Sequence, residues 1–240
     1  MSIAVITGAG SGVGRAIAVK FAAEGWDVAL VGRREDALAE TGKLAGRASA
    51  GRPASFSCDV SDPSSVSTMG EAVLQRFGGV DVLVNSAGIN VPKRSFEALS
   101  IEDWHAVLAT NLHGAYYCVR AFLPAMRQRG AGTIININSD VGKVARDLAG
   151  PAYVSSKFGL MGFLQGLAGE VASDGIKVSA VVPGSILTPF GDRSVAEKRA
   201  AMVADPGKKY LEPEDVAEVV LFLLRQPHRA WTQELNVWPF

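Results

Sequence analysis

An apolar run that breaks into glycines and resumes as a helix constrains this chain more than any other feature. Ile3-Ala4-Val5-Ile6 is short, apolar and partly β-branched, as expected of a strand buried on both faces. Glycines follow at once in Thr7-Gly8-Ala9-Gly10-Ser11-Gly12-Val13-Gly14, and Ala16 to Ala23 then keep a helical pattern that ends near Gly25. Such a turn lets a pyrophosphate come close to the backbone, and the helix N-terminus offers it N–H groups and positive dipole. A glycine-rich turn that holds no ligand is the plainer alternative. The spacing Gly8-x-x-x-Gly12-x-Gly14 also differs from the common G-x-G-x-x-G.

The rest of the chain repeats the alternation. Val28 to Val31 reads as a second buried strand, and a helix is expected over 36–47. A turn at Gly51-Arg52-Pro53 leads to the strand Ala54–Cys58 and then Asp59-Val60. Asp62-Pro63 pairs an N-cap with a first-turn proline, opening a helix to about Phe77. Val80–Val84 is a fourth strand, ending in the small residues Asn85-Ser86-Ala87-Gly88. One long amphipathic helix is expected over 101–129, and Thr133–Asn138 is a fifth strand. A loop over 140–152 precedes a helix through Tyr153 to about Ala172. Ile176–Val182 is a sixth strand closed by Pro183-Gly184, Pro213 to Leu224 a last helix, and Leu235–Val237 a final strand. Residues 185–211 have weak periodicity and are assigned to a lid over the substrate. Without a repeat or linker, residues 1–240 read as one α/β domain, a Rossmann-like doubly wound parallel sheet with helices on both faces.

Composition narrows the function. Basic and acidic residues balance at 24 each, which argues against nucleic-acid binding through a general positive field. Cys58 and Cys118 are far apart in apolar surroundings and read as buried free thiols in a reducing compartment. His105, His113 and His228 form no ligand spacing, so no metal is expected. The apolar start runs straight into the glycine turn, and Val216–Leu224 is too short to span a bilayer. These features point to a cytoplasmic protein without a membrane partner.

The chemistry is placed at Tyr153-Val154-Ser155-Ser156-Lys157, where the phenol and the amine lie one helical turn apart on one face. A free phenol has a pKa near ~10. A neighbouring ammonium favours the phenolate, so Lys157 is expected to bring Tyr153 down toward a value suited to proton transfer. Packing for Tyr153 and solvation for Lys157 is the alternative that this pair alone does not exclude. Ser139 ends the fifth strand, where ligands of open parallel sheets bind. Asn111 is a polar amide inside an apolar helix. After the second strand, the place of an acidic ribose ligand is taken by Gly32, followed by Arg33-Arg34. An arginine fork there suits a 2′-phosphate, which favours NADP(H) over NAD(H), the alternative being a solvated loop.

Taken together, Thr7 to Gly14, Asn85 to Gly88, Asn111, Ser139, Tyr153, Lys157 and Pro183-Gly184 resemble the short-chain dehydrogenase/reductase family, from Ile3 to about Leu224. The resemblance implies hydride transfer between a ketone and a secondary alcohol. It implies Ser139, Tyr153, Lys157 and Asn111 as catalytic residues, with Asn111 holding a water that resupplies Lys157. It implies cofactor contacts from Gly8, Ser11, Gly12, Val13 and Gly14 at the pyrophosphate, and from Asp59 and Val60 at the adenine. Asn85, Ala87 and Gly88 would lie behind the ribose, with Tyr153 and Lys157 also touching the cofactor, and Pro183, Gly184 and Thr188 near the carboxamide. Homodimers or homotetramers, packed through the helices of Asn111 and Tyr153, are implied as well. Two departures stand out: Asn138 replaces a frequent serine, and Asp140 directly follows Ser139 in a loop one residue longer than usual. A 3-oxoacyl-carrier-protein reductase, with Arg127 and Arg129 meeting an acidic carrier, is the specific alternative. A non-catalytic dinucleotide-binding regulator is the alternative of another class. A serine hydrolase lacks both G-x-S-x-G and a placed histidine. Val91, Pro92, Val144, Leu148, Phe190, Met202 and Tyr210 are expected to wall an apolar substrate pocket.

Overall fold

The apolar runs assemble into one parallel sheet of seven strands, ordered β3-β2-β1-β4-β5-β6-β7. These are β1 (Ile3–Thr7), β2 (Asp27–Gly32), β3 (Pro53–Ser57), β4 (Val82–Asn85), β5 (Gly132–Ile137), β6 (Ile176–Pro183) and β7 (Glu234–Val237). The computed structural model describes residues 2–48, 52–191, 193–205, 207–227 and 229–240. Gly51 of the expected turn and His228 therefore lie outside the described residues.

Helices cover both faces, which is why the central strands are apolar on each side. On one face α3 (Pro63–Phe77), α5 (Gly114–Arg129) and α6 (Pro151–Val171) bury Val66, Met69, Phe122 and Leu164 against Val5, Leu83 and Ile134. On the other, α1 (Gly12–Ala23), α2 (Glu35–Ala48) and α8 (Pro213–Leu224) bury Ile17, Phe21, Leu38 and Val220 against Ile6, Leu30 and Val84. Local chemistry sets the ends. The Asp62 carboxylate accepts from the Ser64 N–H at the start of α3, Pro63 occupies its first turn, and Gly78 ends it at φ 79°.

The expected long helix over 101–129 is interrupted. The chain runs as α4 (Ile101–Leu108), a π turn at Ala109–His113, and α5. One extra residue per turn leaves apolar spacing almost intact, so periodicity does not expose it, and the turn carries Asn111. Gly114, just after it, allows a close approach, since a Cβ there would fall 2.9 Å from Val60 Cγ2. Within 185–211, where the sequence shows weak periodicity, the structure has α7 (Val195–Ala204). Ser194 and Glu197 form a reciprocal capping box, a start signal legible in Ser194-x-x-Glu197.

The amino ends of the strands serve stability. Asp27, with its side chain only 2% exposed, accepts from Arg52 Nη2 at 2.6 Å and from the Arg52 backbone N–H at 2.9 Å. That side-chain bond, outweighing burial, holds the Asp27 carboxyl below its ordinary range. Arg52→Met should destabilise the fold, because it strips the hydrogen-bonded partner from the Asp27 carboxylate. Because the folded pKa is depressed, this stability is full above the unfolded pKa and fades as pH falls through the folded value. Urea melts at pH 7 and pH 3 check it: the wild type should exceed Arg52→Met at pH 7 and approach it at pH 3.

Candidate active site

The carboxyl ends of β1, β4, β5 and β6 meet where the sheet order reverses between β1 and β4, the crevice in which open parallel sheets bind ligands. Ser139 follows β5, while α6 brings Tyr153 and Lys157 over the same end. Lys157 is 4% exposed. Its Nζ donates to the Ile137 carbonyl at 2.9 Å and lies 5.7 Å from the centre of the Tyr153 ring. Its own carbonyl accepts from Asn138 Nδ2 at 3.2 Å, so Asn138, which replaces a serine of the related pattern, ties α6 to β5.

The Tyr153 phenol does not follow the sequence expectation. Burial pushes it up to about 12; a hydrogen bond from Ser139 pulls the other way and the Asp140 charge adds to the rise. Burial also lowers Lys157 to about 8. The ammonium donates to the Ile137 carbonyl, and desolvation is the leading influence on the phenol. Ser139 and Tyr153 nonetheless lie beside each other. Phe190 packs on the Tyr153 ring, with centroids 5.6 Å apart.

Asn111 is 2% exposed, and both ends of its carboxamide are engaged. Oδ1 accepts from the Ile89 N–H at 2.8 Å, and Nδ2 donates to the Ile89 carbonyl at 2.9 Å and to Ser156 Oγ at 3.1 Å. Ser156 in turn donates to the Tyr153 carbonyl at 2.8 Å. The Asn111 side chain thereby pins the segment after β4 to the helix of Tyr153. Ser156, which sequence reasoning passed over, is the link. Its signal was a hydroxyl one residue before Lys157, indistinguishable in sequence from a solvated serine.

The glycine turn fits an anionic dinucleotide. Gly8 (φ 67°) packs so closely on the segment after β4 that a Cβ would fall 2.9 Å from Ala87 Cα. Thr7 Oγ1 accepts from the Ser86 and Ala87 N–H groups at 3.0 and 3.1 Å, closing that join. Ser11 makes no side-chain cap to α1, and the first turn has no acidic residue, so the positive helix end is open to a phosphate. Val13 sits in that turn, half-buried. Thr188 is buried across from Gly12, and its loop is clamped by Lys198 of α7, whose Nζ donates to the Thr188 and Phe190 carbonyls at 2.7 and 3.1 Å. Arg33 lies beyond β2 and is 63% exposed, 3.8 Å from the Asp59 carboxylate. Asp59 stays below its ordinary range despite burial because Ser61 and Arg33 favour the charge. Val60 is buried against Gly114, and Pro183 is buried at the end of β6. Gly184 packs under Trp238, its N–H donating to the Val237 carbonyl. Asn85 is buried with both carboxamide atoms unpartnered, as is Asn136, its neighbour across the strands. A cavity of about 10 Å³ beside Asn85, lined also by Thr7, Ala87, Asn111 and Leu160, has room for roughly one water.

A family model described as short chain dehydrogenase matches residues 2–199. The chain belongs to the short-chain dehydrogenase family. D-beta-hydroxybutyrate dehydrogenase of Rhizobium meliloti (strain 1021) is 34% identical to it over 235 residues, covering 92% of this chain and 90% of the relative. D-threitol dehydrogenase of Mycolicibacterium smegmatis is 36% identical over 224 residues, covering 92% and 85%. Among solved structures, an alcohol dehydrogenase from the archaeon Thermococcus sibiricus, complexed with 5-hydroxy-NADP, is similar at a TM-score of 0.86 and 30% identity, covering 99% of this chain and 96% of that one. This short-chain dehydrogenase is accordingly an oxidoreductase of CH–OH groups that uses a nicotinamide dinucleotide.

Other expectations divide. Cys58 and Cys118 are buried free thiols, both pushed up chiefly by burial, hence poor nucleophiles. Among the described residues no cluster could hold a metal, and no helix is long and apolar enough to cross a membrane. Arg127 is paired with Glu170 and Asp174, and Arg129 with Asp81. The two arginines offered for an acidic carrier are thus engaged within the chain. Of the expected pocket walls, Val144 and Leu148 are 65% and 86% exposed.

Proposed function

We propose that this short-chain dehydrogenase is an NADP(H)-dependent enzyme interconverting a ketone and a secondary alcohol, with Tyr153 as the proton-transfer group. The observation that carries this reading is the Ser139 hydroxyl set beside Tyr153, itself one helical turn from a buried lysine. The nicotinamide supplies the hydride chemistry when bound. Tyr153 gives the substrate oxygen its proton in reduction and removes it in oxidation. Ser139 donates to the developing oxyanion, a contact worth on the order of 3 kcal/mol when such donors are deleted. Lys157 binds the nicotinamide ribose, and Asn111 with Ser156 keeps the segment Asn85–Ile89 in place behind it. Thr188, Pro183 and Gly184 meet the carboxamide, and residues 185–211 form the lid.

Arg33 supports NADP(H), since its exposed guanidinium follows β2 and its pairing with Asp59 is a long one at 3.8 Å. Arg33→Ala should raise the Kd for NADPH at least about tenfold, the scale of a lost charge-assisted hydrogen bond, and change that for NADH little. Titration calorimetry with the two cofactors checks this; equal losses would return Arg33 to the solvated loop. Exposed Tyr116 on α5 and Phe158 on α6, each 43% exposed, favour a homodimer or homotetramer through these helices. Buried unpaired thiols suit the cytoplasm.

A further inference from the structure

Asp140 is the acidic group at the site that the mechanism leaves unused. It opens a 3-10 turn, Asp140–Gly142, directly after Ser139, and its side chain is 17% exposed. Asp140 Oδ1 accepts from Ser139 Oγ at 3.1 Å, while Oδ2 accepts from Arg146 Nε at 2.8 Å. The Val141 N–H donates to the same Ser139 Oγ at 3.4 Å. A serine hydroxyl has one proton and an ionised carboxylate can only accept. In this arrangement the Ser139 proton is held at Asp140, away from the Tyr153 oxygen, where it would favour the phenolate.

We infer that Asp140, held by Arg146, is a positioning residue that directs the Ser139 hydroxyl and thereby keeps Tyr153 in its protonated, proton-donating form. The inference rests on the functional reading given above and extends it to how the site is tuned. Holding the Ser139 proton at Asp140 favours the neutral phenol, because a phenolate would lack that donor and would face the Asp140 charge. A substrate oxygen gaining charge draws the Ser139 proton away from Asp140, and Arg146 then balances the carboxylate. The charged groups facing Tyr153 agree with this picture. Lys157 of its own helix is directed to the Ile137 carbonyl, Phe190 covers the ring from the 186–190 loop, and Asp140 approaches from the loop after β5. Lys143, on that same loop, is taken by Glu234 of β7. The overall equilibrium of the reaction is untouched; what moves is the pH at which each direction is fast.

Asp140→Asn and Arg146→Leu test the inference in the full-length protein. Phenolate formation is read by NMR of ζ-13C-tyrosine, with the Tyr153 signal assigned by its loss in Tyr153→Phe. The pH profile of NADP+-dependent oxidation is read with 3-hydroxybutyrate, threitol and simple secondary alcohols. Asp140→Asn should bring the onset of Tyr153 phenolate, and the rise of the oxidation profile, down by about one pH unit, as expected for removal of a like charge. Arg146→Leu, which bares the Asp140 charge, should move both upward. If Asp140→Asn does not fold, Asp140→Ser carries the same expectation. Unmoved profiles, or shifts of the same sign in both variants, overturn the inference. Loss of activity in Tyr153→Phe alongside an unmoved Asp140→Asn profile sinks this inference alone, whereas an active Tyr153→Phe enzyme sinks the functional reading beneath it.

Discussion

Tyr153→Phe should lower turnover in both directions by about 10²–10⁴-fold, the range lost when a positioned acid–base group is removed, and leave dinucleotide affinity nearly unchanged. The substitution deletes one oxygen, and the ring keeps its packing on Phe190. Steady-state assays with NADPH and a ketone, beside calorimetry of NADPH binding, separate the two effects. The pH dependence follows from the same group. Tyr153 acts as a base only when deprotonated, and burial pushes it up to about 12. Alcohol oxidation should therefore climb from neutral pH, bending over as Lys157 loses its charge above about 8. Ketone reduction, which uses the protonated phenol, should vary little across the neutral range. An oxidation rate that falls between pH 7 and pH 9 would contradict this assignment.

Gly14→Ala should be strongly damaging at the glycine turn. The added Cβ would fall 2.7 Å from the Gly8 carbonyl carbon, against backbone that cannot turn aside. Gly8 is itself held against Ala87, so relief at one contact tightens the next. Overpacking of this kind costs about 1–3 kcal/mol, and here it also displaces the N–H groups that would face a pyrophosphate. Thermal melts should show destabilisation, and NADPH should no longer raise the melting temperature. Gly46→Ala is the control: nothing lies within 4 Å of its Cβ position, so stability and binding should hold. A Gly14→Ala protein that still gains stability from NADPH would show that the turn does not hold the cofactor.

The layered sheet was legible because each strand is a short apolar run and each helix has a start signal, such as Asp62-Pro63. Tyr153 and Lys157 lie one turn apart on α6, with Ser139 beside them after β5. What escaped the sequence is of two kinds. The π turn at Asn111 inserts one residue without breaking the apolar rhythm, and a helix reads through it. Burial then reverses simple electrostatics: Tyr153 rises where a neighbouring amine suggested a fall, because the cost of desolvating a phenolate depends on packing from distant elements. The bonds of Asn111 to Ile89, 22 residues away, and to Ser156, 45 away, are equally invisible to local pattern.

Transfer of label from NADPH carrying deuterium at nicotinamide C4 is the most direct measurement, using 3-oxobutyrate, diketones and simple ketones with mass spectrometry of the alcohols formed. The structure predicts one deuterium on the carbinol carbon of at least one product with the native protein, and almost none with Tyr153→Phe. Tight NADPH binding with no label passed to any ketone, or equal labelling by Tyr153→Phe, would contradict it.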